Sequence, residues 1–180
     1  MKTIKTSLVF FFAIILVSCS NEQSLQEYNV ENQQNNNFMA LDIPTSMFAN
    51  AENLSVEQKE TLQSVKKVNL LGLSIENGRE DYETEKENLE NILKHEKYQL
   101  LMKYGSNSRK AEIFFTGDEE AIDELIVYGY DDTKGVGVAR VLGKNMNPTA
   151  LLDLMKSLDK GDINIDGLKK VTGIFKDEME

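Results

Sequence analysis

The sequence predicts an α+β fold in which a four-stranded, mostly antiparallel sheet in βαβββα order carries its helices on one face. Three observations lead there. Val68 to Ile75 is a short apolar run, β-branched at both ends and followed by Asn77-Gly78, which reads as a buried strand and its turn. A 3.6-residue apolar period runs from Asp81 to Tyr104 and returns after Pro148. Between these helical stretches lie three strand-like runs, Ala111 to Thr116, Leu125 to Tyr130 and Val136 to Leu142. The last two are joined by a polar loop, Asp131 to Gly135, of hairpin character.

Taken in chain order, the first element is an export segment over residues 1–18. Lys2 and Lys5 precede an unbroken apolar run of ten residues, Leu8 to Val17. As a helix that run is about 15 Å long, too short for a hydrocarbon core of roughly 30 Å, so it reads as a signal peptide rather than a span. Leu16-Val17-Ser18-Cys19 resembles the bacterial lipobox, in which an aliphatic and a small residue precede a cysteine that is lipidated before the leader is removed. The expected lipid attachment site is Cys19, carrying palmitate or a similar acyl group. Acyl burial contributes about 0.8 kcal/mol per CH₂, so two or three chains anchor in effect permanently. Cys19 is the only cysteine in the chain. Its acylation leaves no thiol for a disulfide, a nucleophile or a thiolate metal site.

Residues 19–37 are expected to form the lipidated cysteine and a flexible tether. Ten of the eighteen residues Ser20 to Asn37 are Asn or Gln, apolar residues are few, and Glu22, Glu27 and Glu31 interrupt the tract. As a coil it reaches on the order of 23 Å r.m.s., enough to hold a domain clear of headgroups. Ser20 rather than Asp after the cysteine resembles the sorting signal for the outer membrane. Periplasmic and external faces both stay open.

A single domain is then expected over residues 38–180. Apolar residues return at Phe38, and Pro44 followed by Met47 and Phe48 suggests a short helical turn. Ser55 with Gln58 forms a capping-box pattern opening a helix to about Ser64. After the Val68 strand comes the longest helix, Asp81 to Tyr104, with Tyr82, Leu89, Leu93, Leu100, Leu101 and Tyr104 as its stripe and Gly105 as its stop. The eight acidic residues between Glu76 and Glu96 read as its solvated face, supported by pairs such as Glu90 with Lys94. Gly117 to Asp123 reads as a half-turn or wide loop. Pro148 opens an amphipathic helix with Leu151, Leu152, Met155 and Leu158 on one face, and a short helix from Asp166 to Phe175 closes the chain.

Charge narrows the function. Thirty acidic residues against twenty Lys and Arg give −10, or −12 once Lys2 and Lys5 leave with the leader. No segment is dense in basic residues, which argues against nucleic acid, whose binding draws on counterion release by Lys and Arg.

The lipobox Leu16 to Cys19, the strand-to-hairpin run Ala111 to Gly143, and the ending Ala150 to Leu158 with Ile165 to Leu168 together resemble small lipoproteins of Bacteroidota that carry a domain of unknown function. That resemblance spans roughly Phe38 to Phe175. It implies an envelope setting and transfers no functional residue other than Cys19.

Three stretches carry residue types that bear on chemistry. Asp162, Asn164 and Asp166 with Gly167 match the first half of an EF-hand-like calcium loop. Position 12 is Gly173 and brings no carboxylate, while Ile163 and Ile165 suit a core, so Asn164 or Asp166 serves better as a helix cap. Gly137 to Lys144 is superficially similar to a phosphate-binding loop, but five residues separate its glycines and Asn145 stands where Ser or Thr would bind Mg²⁺. Ser106, Ser108 and Lys110 offer a Ser/Lys pairing for hydrolysis, and the carboxylates of the chain a separate acid–base route to it. His95, the lone histidine, reads as a surface or boundary residue. The expectation is a non-enzymatic, lipid-anchored envelope module without a cofactor that binds or scaffolds another envelope component. A carboxylate or Ser/Lys hydrolase is the alternative, and calcium binding the second.

Overall fold

The computed structural model describes residues 23–45 and 54–158. Cys19, the loop containing Asp162, Asn164 and Asp166, the turn expected around Met47 and Phe48, and the helix expected at Asp166 to Phe175 lie outside them. In chain order the elements are α1 (Leu25–Asn32), β1 (Phe38–Pro44), α2 (Val56–Ser64), β2 (Val65–Ser74), α3 (Ile75–Gly78), α4 (Tyr82–Leu93), β3 (Gln99–Gly105), β4 (Arg109–Asp118), β5 (Ala121–Asp131), β6 (Gly135–Met146) and α5 (Pro148–Leu158).

The fold is α+β, with an antiparallel sheet of six strands rather than four, in the order β1-β2-β6-β5-β4-β3. β3 to β6 form a meander by short turns, and β2 joins the far side of β6. The chain therefore crosses the sheet between β2 and β3, by way of α3 and α4. The two additional strands are the sheet edges. β1 occupies the stretch expected to lead into a helical turn. β3 occupies the second half of the expected long helix, which ends at Leu93; the apolar residues Leu100, Leu101 and Tyr104 are exposed instead of forming its stripe. Gly105 closes a strand, with φ +123°.

Helices cover both faces of the sheet, not one. On one face Leu25 and Tyr28 of α1 and Tyr82, Leu89, Ile92 and Leu93 of α4 pack over Leu71, Leu73, Phe114, Ile126, Tyr128, Val136 and Val138. Side chains alternate along a strand, so Leu125, next to Ile126, points the other way. There it meets Phe115, Val141, Met146 and Leu151 of α5, with α2 beside α5. In α5, Leu151 and Leu154 are buried and Leu152 partly so, while Met155 is 37% exposed and off the packed stripe.

Local chemistry explains the starts of these elements. The Ser55 and Gln58 capping box forms as expected, and Asn147 caps α5 by accepting the Ala150 amide at 2.9 Å. α1 corrects the expected tether over residues 23–37. Its first turn is closed by a second capping box, Ser24 with Glu27, whose carboxyl the Ser24 amide and hydroxyl hold below its ordinary pKa. The Leu25 amide donates to the buried Tyr98 hydroxyl at 3.1 Å, and the Tyr28 hydroxyl to Glu85 at 2.7 Å. Gly117 to Asp123 is a tight hairpin turn at Glu119-Glu120, with Gly117 at φ +95° beside a bulge. The Asp131 to Gly135 hairpin is as expected; a Cβ on Gly135, φ +146°, would collide with the Leu73 carbonyl.

Candidate interaction surface

The two sheet edges are treated differently by the sequence. β1 ends in Pro44, which has no amide proton to offer a further strand, and carries Asp42, held by the Asn69 amide. Its Ile43 is buried and Phe38 packs edge-on to Tyr28 with ring centroids 6.4 Å apart. β3 has no proline and no carboxylate, only a bulge at Leu101 and the single charge of Lys103. All seven of its residues are exposed, and Leu100, Leu101, Met102 and Tyr104 are open by 53%, 41%, 52% and 58%. A row of backbone donors and acceptors beside clustered apolar side chains is a template for an added strand. Register with β4 puts Leu100 opposite Phe114, Met102 opposite Ile113 and Tyr104 opposite Ala111, with a bulge at Leu101. The one charged residue of β3, Lys103, is directed to Glu112 on β4 at 3.4 Å.

Behind this edge, under α4, lies a polar network. Lys110 on β4 meets Glu90 of α4 at 2.9 Å and Glu112 at 3.4 Å, and lies 5.7 Å from the Tyr130 ring centroid. Lys86 of α4 sits 4.4 Å above the same ring and bonds Asp132 at 3.3 Å, while the Tyr82 hydroxyl donates to Asp132 at 2.8 Å. Burial alone would lower the pKa of both lysines, but hydrogen bonds and carboxylate charges outweigh it and raise them. Burial drives the hydroxyls of Tyr28, Tyr82 and Tyr128 upward, joined by the bonds to Glu85 and Asp132 for the first two and by nearby carboxylate charge for Tyr128. Each group is therefore held in its ordinary charge state near neutral pH. General acid–base work wants the reverse, a pKa moved toward neutrality.

A second polar row crosses the same face beneath α1. Asp42, Asn69 and Arg140 stand in register across β1, β2 and β6. Arg140, only 3% exposed, donates through Nε to Glu124 on β5 and through a terminal nitrogen to Gln26 of α1 at 2.8 Å. This row fastens α1 to the sheet.

The residues weighed for hydrolysis do not converge. Ser106 and Ser108 sit in the β3–β4 turn with hydroxyls 3.5 Å apart, whereas Lys110 directs its ammonium to Glu90 and Glu112. Glu90 thus pairs across to the sheet, not along its helix with Lys94, which bonds Asn91 at 2.9 Å. The glycines of Gly137 to Gly143 lie within β6. His95 lies in the turn after α4, where its Nδ1 accepts the Lys97 amide at 3.3 Å. A shallow depression of about 510 Å³ lies there, lined by Asn88, Asn91, Lys94, His95, Lys97 and Tyr98 among others. Its lysines have partners, Lys97 lying 4.8 Å from the Tyr98 ring, and its lining contains no carboxylate. Among the described residues no cluster of His, Cys, Asp or Glu could hold a metal ion, and no helix is long and apolar enough to cross a membrane.

A family model described as "Domain of unknown function (DUF4252)" matches residues 28–154, from within α1 to within α5. The chain belongs to the DUF4252 family. No curated protein and no solved structure matches it. The part of the chain shared with the DUF4252 family therefore includes all six strands and, Gln26 apart, both polar rows. Sequence reasoning misses β3 as a surface because its apolar residues also fit a helix, and Arg140 because it falls inside the glycine-flanked run Gly137 to Lys144. The charge itself was the available signal, since a buried Arg requires partners.

Proposed function

We propose that this DUF4252 protein is a lipid-anchored component of the bacterial cell envelope, of the small Bacteroidota lipoprotein type, which binds or scaffolds another envelope component without catalysing a reaction. Cys19 carries the lipid, and Ser20 after it favours the outer membrane. The observation that carries the binding role is the exposed β3 edge, where four large apolar side chains flank the backbone, while the opposite edge carries Asp42 and ends in Pro44. The polar network supports the same reading, since its pairs hold Lys110 and the tyrosines away from catalytic pKa values.

The anchor and the surface are tested separately. Cys19→Ala abolishes palmitate labelling and mature processing; a variant that still labels and is processed normally removes the anchor from the proposal. A photoreactive phenylalanine analogue is placed in the full chain, in its native envelope, at Leu101, Met102 or Tyr104 on β3 and at Glu87 on α4. Adducts are expected from β3 and not from Glu87. Adducts from Glu87 alone, or none from β3, refute the binding edge.

A further inference from the structure

The β3 edge constrains what can dock on it. It offers backbone for one more strand, apolar side chains at Leu100, Leu101, Met102 and Tyr104, and a single charge, the exposed Lys103, paired with Glu112 of β4. In a chain of net charge −10 it is a stretch without a carboxylate, so two copies can meet there without setting acidic side chains of the strand against each other. The strand is also compatible with itself. An antiparallel pair related by a two-fold axis at Met102 sets Met102 against the partner's Met102 and keeps the two lysines from facing each other, while the bulge at Leu101 leaves Leu100 on one face of the sheet and Met102 and Tyr104 on the other.

Resting on the binding role proposed for this edge, we infer that its occupant is a second copy of the chain, added through β3 so that two six-stranded sheets become one of twelve. The area suits a reversible contact. Side chains about half open, together with the strand backbone, would cover on the order of 500 Å² per copy, and a total of roughly 1,000 Å² stands at the low end for specific interfaces. Two copies confined to one membrane surface by lipid anchors meet at a raised effective concentration, so a contact of this size suffices there. The bulge at Leu101 twists this edge and restricts long flat stacking, which fits closure at two copies better than open-ended growth.

The test uses the full chain in its native envelope, co-expressed with two different epitope tags and carrying the photoreactive analogue at Met102. The expected product has twice the protomer mass and contains both tags. Leu101→Lys with Tyr104→Lys places charge on exposed positions and lowers the yield by at least about tenfold, a change of about 1.4 kcal/mol in association, with an unchanged unfolding midpoint. An adduct to a different protein overturns the second-copy inference and leaves the binding edge standing. No adduct from any β3 position overturns both. A doubly tagged product that persists undiminished in the lysine variant, shown to be folded, overturns pairing through this strand.

Discussion

Removing the guanidinium of Arg140 should be the most costly single change in the polar row. Its side chain is 4% exposed and its partner Glu124 13%, so Arg140→Met leaves a nearly buried carboxylate without its cation and releases Gln26 of α1. Breaking a buried ion pair in this way costs about 3 kcal/mol or more. For a domain of this size about 1 kcal/mol moves the unfolding midpoint by roughly 4 °C, so a drop of about 12 °C is expected. Glu124→Leu should cost a similar amount, because it strands the guanidinium. The double variant Arg140→Met with Glu124→Leu removes both charges, and a buried pair replaced by apolar groups of similar volume is often close to neutral. Urea unfolding of the four proteins closes a double-mutant cycle, with an expected coupling above about 2 kcal/mol. Single substitutions that add to within about 0.5 kcal/mol would show that the two groups do not work as a pair.

Three further outcomes follow from the same face and its hairpin. The Tyr128 hydroxyl is buried with no hydrogen-bond partner among the described residues, so Tyr128→Phe should raise the unfolding free energy by about 1 kcal/mol; a loss of that size in urea unfolding would reveal a partner for it. Gly135→Ala forces a side chain into φ +146° against the Leu73 carbonyl and should cost about 2 kcal/mol, measured in the same way; a neutral effect would contradict the hairpin geometry. Burial alone would raise the Asp131 carboxyl, but bonds from the Thr133 hydroxyl and amide and the charge of Lys134 bring it below its ordinary value. A depressed carboxylate gives stability that is present above its unfolded pKa and lost as pH falls through the folded one. The midpoint should therefore fall as pH drops below about 4, and Asp131→Asn should flatten that fall; equal slopes for both proteins would refute the assignment.

Much of the core was legible because it followed simple periods. Val136 and Val138 alternate on β6, and Leu89 with Leu93 repeat on α4, so these elements appeared in place. The Ser55 cap was equally plain, yet the same pattern at Ser24 and Glu27 was overridden by the Asn and Gln around it. Composition described the solvent side of α1, whereas its attachment depends on Leu25 and Tyr28 and on distant partners at Tyr98 and Glu85. β1 also carried a signal, since Met39, Leu41 and Ile43 alternate, but Pro44 directed attention to a turn. The end of α4 had no local mark, because residues 94–98 contain neither Gly nor Pro and the spacing of Leu93, Leu100 and Tyr104 continues a helical stripe. Pairing with β4 decides that stretch, and such pairing is absent from a one-dimensional period. The β3 edge, as a surface, was hidden with it.

In the proposed pairing of two copies, β3 works through its backbone, by receiving the β3 strand of the second copy. Amide hydrogen exchange on the full chain in lipid vesicles, at low and high protein density, tests it most directly. Amides within Gln99 to Gly105 should gain protection at high density while those of Phe38 to Pro44 stay unchanged. Equal exchange of β3 at both densities, or protection arising at β1 instead, would contradict it.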